Sequence, residues 1–170
     1  MMILPVRFPF TLEGGILAFR PGRFGLATSA QQAAPVVLSV SSLEEDHQSL
    51  GHILGQQQGR LLQAGSCAEA VGILRQGAVA VVICERDLCD GDWKALLSAT
   101  QPCQPAPLLI VCSRAADEFL WAEVLNLGGW DVLAKPFDAR EVAWSVSLAW
   151  KEWLRLSGAA ASETSSMAAR

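Results

Sequence analysis

The chain has 170 residues and a mass of 18.2 kDa; 51% of its residues are hydrophobic and 18% charged, enough for one domain with a sizeable core and some chain left over. Its formal net charge of −4 argues against a nucleic-acid binder held by phosphate neutralisation, and no apolar run reaches the roughly 18 residues of a membrane-spanning helix. The five cysteines form no C-x-x-C pair and the two histidines lie apart from them, which argues against a zinc site and makes reduced, cytoplasmic thiols the expectation.

Residues 1–34 differ from the rest. Pro5, Pro9 and Pro21 and scattered glycines interrupt every short apolar run, and no continuous apolar core of a secretory signal is present. This segment is expected to be a flexible extension. It carries Arg7, Arg20 and Arg23 against Glu13, so the acidic excess lies in the remainder.

From Pro35 the pattern becomes regular. Residues 36–40 form a short apolar strand, and Ser42, Leu43, Glu44 and Glu45 have the form of a capping box opening a helix with Leu43, Leu50, Ile53 and Leu54 on one face. Residues 60–64 form a second strand nearer an edge. Ser66 to Glu69 form a second capping box, starting a helix that stops at Gly77. Residues 78–84 are an unbroken apolar run rich in valine, the mark of a strand buried on both faces. An acidic turn follows, Glu85 to Asp92, in which Asp90 or Asp92 caps the next helix. Pro102, Pro105 and Pro107 make a loop, residues 108–112 a fourth strand before Ser113, and residues 117–127 a helix ended by Gly128 and Gly129. Residues 130–134 form a fifth strand, Lys135-Pro136-Phe137 a turn, and Asp138 caps a long helix to about Leu156. Residues 157–170, rich in serine and alanine, are expected to be a disordered tail.

Five strands alternating with five helices predict an α/β fold, a doubly wound five-stranded parallel sheet spanning residues 35–156. Ligand sites in such sheets lie just beyond the strand carboxyl ends, where Glu85 falls in the middle of the sheet. The plain alternative is that Glu85 and Asp87 are solvated residues at a strand end, and a lysine before proline is ordinarily solvated too.

Over residues 35–153 the chain resembles the receiver domain of two-component response regulators. The resemblance rests on the βα order, the turn Leu88-Cys89-Asp90-Gly91, and the run from Gly128 through the fifth strand to Lys135-Pro136-Phe137. It implies a flavodoxin-like fold of strand order 2-1-3-4-5 and a bacterial, phosphorelay signalling role rather than an enzymatic one. In that family an acidic pair after strand one holds Mg²⁺, an aspartate ending strand three accepts phosphate, and a Ser or Thr and a Lys contact the phosphoryl oxygens. Here Ser113 matches the hydroxyl position and Lys135 the lysine. The acceptor position falls on Glu85, with Asp87 as a weaker candidate, and the acidic pair falls on Ser41 and Ser42. Glu44, Glu45 and Asp46 come later and belong to the helix that follows. The aromatic position of strand five falls on Val132.

These departures predict a poor cage for Mg²⁺, a hard cation that needs anionic oxygens, and hence no metal or other cofactor. They also predict Glu85 paired with Lys135 as a fixed anion, in a stand-alone pseudo-receiver that is not phosphorylated. Trp144, Trp150 and Trp153 on the last helix, with Trp121 and Trp130, are the expected partner surface. For Trp144 and Trp150 the alternative is that one of them covers the sheet edge. The resemblance implies a protein partner such as a histidine kinase or another signalling protein, or a homodimer through the fourth helix, fifth strand and fifth helix. Two other readings stay open: a working phosphoacceptor using Asp87 or Glu85, and an unrelated flavodoxin-like enzyme or nucleotide binder. The latter is disfavoured because no glycine-rich loop follows the first strand.

Overall fold

Strong alternation of apolar runs with helix-capping signals gives a parallel sheet covered on both faces. The computed structural model describes residues 34–168 apart from 57, 58 and 78, with side chains as far as 158; the extension expected over 1–34 lies outside the described residues, apart from residue 34. The elements run β1 (Val36–Val40), α1 (Glu44–Gly55), β2 (Arg60–Ala64), α2 (Cys67–Leu74), β3 (Val81–Glu85), β4 (Asp87–Leu88), β5 (Gly91–Asp92), α3 (Trp93–Thr100), β6 (Leu108–Ser113), α4 (Glu118–Leu127), β7 (Asp131–Ala134) and α5 (Ala139–Ala168). The main sheet has the order β2-β1-β3-β6-β7, all parallel, while β4 and β5 form a separate two-residue antiparallel ladder. Without that ladder the order is the expected 2-1-3-4-5.

The two-residue alternation of each strand divides the core. Leu38, Val40, Val82, Cys84, Leu109 and Val111 pack against α2, α3 and α4 through Leu74, Trp93, Leu96 and Val124. Val37, Val81, Ile83, Ile110 and Leu133 pack on the other face against Leu50 and Leu54 of α1 and Val142, Val146 and Ala149 of α5. β3 therefore contributes to both halves, as its unbroken apolar run predicts. Burial pushes the Cys84 and Cys112 thiols well above their ordinary range, so both act as small hydrophobes.

Several helix ends follow the sequence. Ser66, Asp92 and Asp117 cap α2, α3 and α4 by accepting from the amides of Glu69, Ala95 and Leu120. Asp138 accepts from Arg140 and Glu141 at the start of α5. Gly128 ends α4 in the left-handed conformation at φ 96°.

Two expectations are corrected. The capping box at Ser42 does not form: α1 is preceded by Leu43 without a side-chain cap, and it is Ser41 whose hydroxyl accepts from the Leu43 amide at 3.1 Å. Ser41 is the first residue past β1 and already faces inward, whereas Ser42 is exposed. Second, the backbone of α5 continues through Ala168, beyond the end expected near Leu156. Ala159, Ala160 and Ala161 in that stretch are the strongest helix formers, set against Gly158 and the weaker formers Ser162, Thr164, Ser165 and Ser166.

Candidate functional site

At the carboxyl edge of the sheet, the ends of β1, β3, β6 and β7 stand side by side. The register pairs Val40 with Cys84, Glu85 with Cys112, and Ser113 with Ala134. Ser41, Glu85, Ser113 and Lys135 are therefore the residues delivered to this edge.

Glu85 and Lys135 meet directly. The Lys135 ammonium donates to Glu85 Oε2 and also to Asp46 Oδ2, the latter at 2.5 Å. The Lys135 side chain is 5% exposed, against 11% for Asp46 and 18% for Glu85. The ammonium thus sits in a largely dry site, flanked by two carboxylates. Ser41 adds to it, its hydroxyl donating to Asp46 Oδ2 at 2.5 Å. Lys135 also lies 6.0 Å from the centre of the Phe137 ring.

Asp46 is the residue the sequence reading left out of the site. It does lie on α1, as expected, but in the first turn, where the helix rises from the sheet edge, and it is buried. The signal was present: Asp46, Leu50, Ile53 and Leu54 share one helical stripe, so a carboxylate occupied a core-facing position. A buried carboxylate requires a partner.

His47, next on α1, is also buried. Its Nδ1 lies 2.8 Å from Ser39 Oγ and its Nε2 3.0 Å from the Ser41 carbonyl oxygen. A carbonyl only accepts, so Nε2 carries a proton, and in the neutral ring Ser39 donates to Nδ1. Serine, histidine and aspartate are all present here, yet they do not form a nucleophilic relay. Asp46 bonds to Ser41 and Lys135, the second ring nitrogen is taken by a backbone carbonyl, and Ser39 is 1% exposed. The cluster instead pins the β1–α1 turn.

The other predicted positions separate. Ser113 is buried and its Oγ accepts from the Ala115 amide at 3.1 Å, while its carbonyl accepts from the Lys135 amide. Ser42 is exposed. Asp87 lies in the β4–β5 ladder, its side chain 70% exposed and paired with Arg86 at 2.7 Å. Asp90 does not cap α3; both its oxygens accept from the Cys67 and Ala68 amides at the start of α2, which hold its carboxyl below the ordinary range. Val132 is buried in the core between the sheet and α2–α4. Beside Lys135 a groove of about 280 Å³ is lined by Glu45, Asp46, Ser49, Arg114, Pro136 and Phe137. Among the described residues, no group of three or more histidine, cysteine or acidic side chains is placed to share a metal ion.

The tryptophans also divide. Trp130, Trp150 and Trp153 are partly buried against the α1–α5 half of the core, and Trp150 stacks on Trp153 with ring centres 5.5 Å apart. Trp144 is 69% exposed and Trp121 40%, with Phe119 and Leu127 exposed on α4 and Leu148 on α5. Among the described residues, no helix is long and apolar enough to cross a membrane.

No family model and no curated protein sequence matches the chain. Solved structures do. The signal receiver domain of an HD domain-containing protein from Pseudomonas fluorescens Pf-5 is 26% identical with a TM-score of 0.67, the match covering 78% of this chain and 96% of that one. The beryllofluoride-activated NtrC4 receiver domain, solved as a dimer, is 21% identical with a TM-score of 0.64, covering 69% and 98%. The chemotaxis response regulator CheY4 of Vibrio cholerae is 16% identical with a TM-score of 0.63, covering 69% and 99%. The strand order and this set of neighbours lead to one conclusion: the chain has the flavodoxin-like fold of response regulator receiver domains.

Proposed function

We propose that this receiver-like domain is a signalling module that works by binding a protein partner or a second copy of itself, with Glu85 as a permanent anion in place of a phosphorylated aspartate. The observation that carries this reading is the engagement of the Glu85 carboxylate by the buried Lys135 ammonium, which Asp46 holds from the other side. Acyl phosphate formation needs a free carboxylate oxygen as nucleophile and a cation available to the incoming phosphoryl group. Here the carboxylate and the nearest cation already neutralise each other. Asp87 draws less support as an acceptor, because it is exposed and paired with Arg86 outside the cluster. Ser113 and Lys135, which the family uses as phosphate contacts, have structural roles in this reading.

The partner is a histidine kinase or another cytoplasmic signalling protein, met through the face of α4, β7 and α5. Exposed Trp144, Leu148, Phe119 and Leu127 support that choice, since large exposed aromatics mark contact surfaces. A thermal melt with Mg²⁺ and beryllofluoride against buffer tests the reading. An unchanged Tm at saturating ligand is expected, and a clear metal-dependent rise would restore phosphorylation, because a ligand specific for the folded state raises Tm by mass action.

A further inference from the structure

We infer that the Lys135 ammonium is the resident cation of this site, doing with a side chain what a divalent metal ion would otherwise do, so that the domain holds its shape at the sheet edge without metal. The inference rests on the reading of Glu85 as a fixed anion and extends it to the rest of the cluster. Lys135 joins three elements: it lies at the end of β7, Asp46 on the first turn of α1, and Glu85 at the end of β3. An ammonium has three donors, and two of them are used on these carboxylates.

The donor set does not fit Mg²⁺. That ion demands near-ideal octahedral oxygen geometry at about 2.0–2.1 Å. One oxygen of each carboxylate, Asp46 Oδ2 and Glu85 Oε2, is taken by the ammonium, which stands between them where an ion would have to sit. The Ser41 hydroxyl is committed as well, donating to Asp46 and accepting from the Leu43 amide. The β1–α1 turn, which an ion would have to organise, is already held by the His47 ring against Ser39 and the Ser41 carbonyl. Two carboxylates and one ammonium leave a formal charge of −1 in a site whose cation is 5% exposed, so removing the ammonium leaves two acidic groups facing each other. Such a pair gains most from a replacement cation.

Two measurements test the inference. Wild-type protein titrated with Mn²⁺ and followed by electron paramagnetic resonance is expected to show no stoichiometric binding, and its Tm the same value in EDTA and in Mg²⁺. The K135M variant is expected to melt lower in EDTA and to recover progressively with Mg²⁺ or Mn²⁺, while K135M/E85Q melts higher than K135M in EDTA and ignores metal. Stoichiometric Mn²⁺ binding by the wild type that is lost in D46N would overturn the inference. So would a K135M chain that is indifferent to metal, or one that stays unfolded at saturating Mn²⁺. Beryllofluoride is absent from these assays: Mn²⁺ binding by a wild type that ignores beryllofluoride overturns the resident cation alone, whereas a beryllofluoride response removes the unphosphorylated module.

Discussion

Asp46 on the first turn of α1 and Lys135 at the end of β7 are 89 residues apart in sequence and joined by a 2.5 Å charged hydrogen bond. Both side chains are nearly buried, at 11% and 5% exposure. This contact ties a helix on one face of the sheet to the strand edge, and it sets the first prediction. Removing one partner of a buried pair costs up to about 3–5 kcal/mol when the remaining charge is left alone. Lys135 keeps Glu85 in the D46N variant, so the expected loss is smaller, about 1–2 kcal/mol. E85Q is expected to cost a similar amount. The double variant should depart from the sum, because both carboxylates share one ammonium. Urea denaturation of the three proteins measures this directly.

Asp90 predicts a pH dependence. The Ala68 and Cys67 amides hold its carboxyl below the ordinary aspartate value, so the ionised form is favoured in the folded state. Its contribution is therefore fully present above the unfolded value, near 3.9, and is lost as pH falls through the depressed folded value. D90A is expected to lower Tm by a few degrees at neutral pH, with the gap to wild type closing in strong acid. A gap that stays constant with pH would remove the capping role.

Gly129 leaves no room for a side chain. A Cβ there would meet Val124 Cγ1 at 2.5 Å and the Val124 carbonyl oxygen at 3.1 Å, and Val124 is fully buried. G129A is expected to destabilise by about 1–3 kcal/mol, the range for overpacking a core. The same change at Gly72, inside α2, meets nothing within 4 Å and is expected to stabilise slightly through helix propensity. Parallel thermal melts of the two variants separate packing from backbone effects.

The tryptophans of α5 should behave as two groups. Trp153 stacks on Trp150 and packs on the core, so W153A is expected to cost about 2–4 kcal/mol. Trp144 is largely exposed, and W144A is expected to stay within about 0.5 kcal/mol of wild type. Its effect should appear in association instead, as weaker self-association by analytical ultracentrifugation or weaker partner binding. A large stability loss in W144A would place that ring in the fold rather than at a contact.

The sequence by itself determined the architecture. Helix and strand periods, proline loops and capping aspartates are local properties, and each strand declares through its apolar alternation whether one face or two are buried. Glu85, Ser113 and Lys135 were likewise legible, because each follows directly on a strand end and a parallel sheet brings such ends together. Only the tertiary structure decided what those residues touch. Asp46 joined the site because the first turn of α1 leans over the sheet edge, a geometry fixed by helix-on-sheet packing between segments far apart in the chain. Ser41 rather than Ser42 was drawn inward because it directly follows the last residue of β1, and its hydroxyl accepts from the Leu43 amide while α1 goes without a side-chain cap. Trp150 and Trp153 were separated from Trp144 by the angle at which α5 lies on the sheet, and no window of sequence contains that angle.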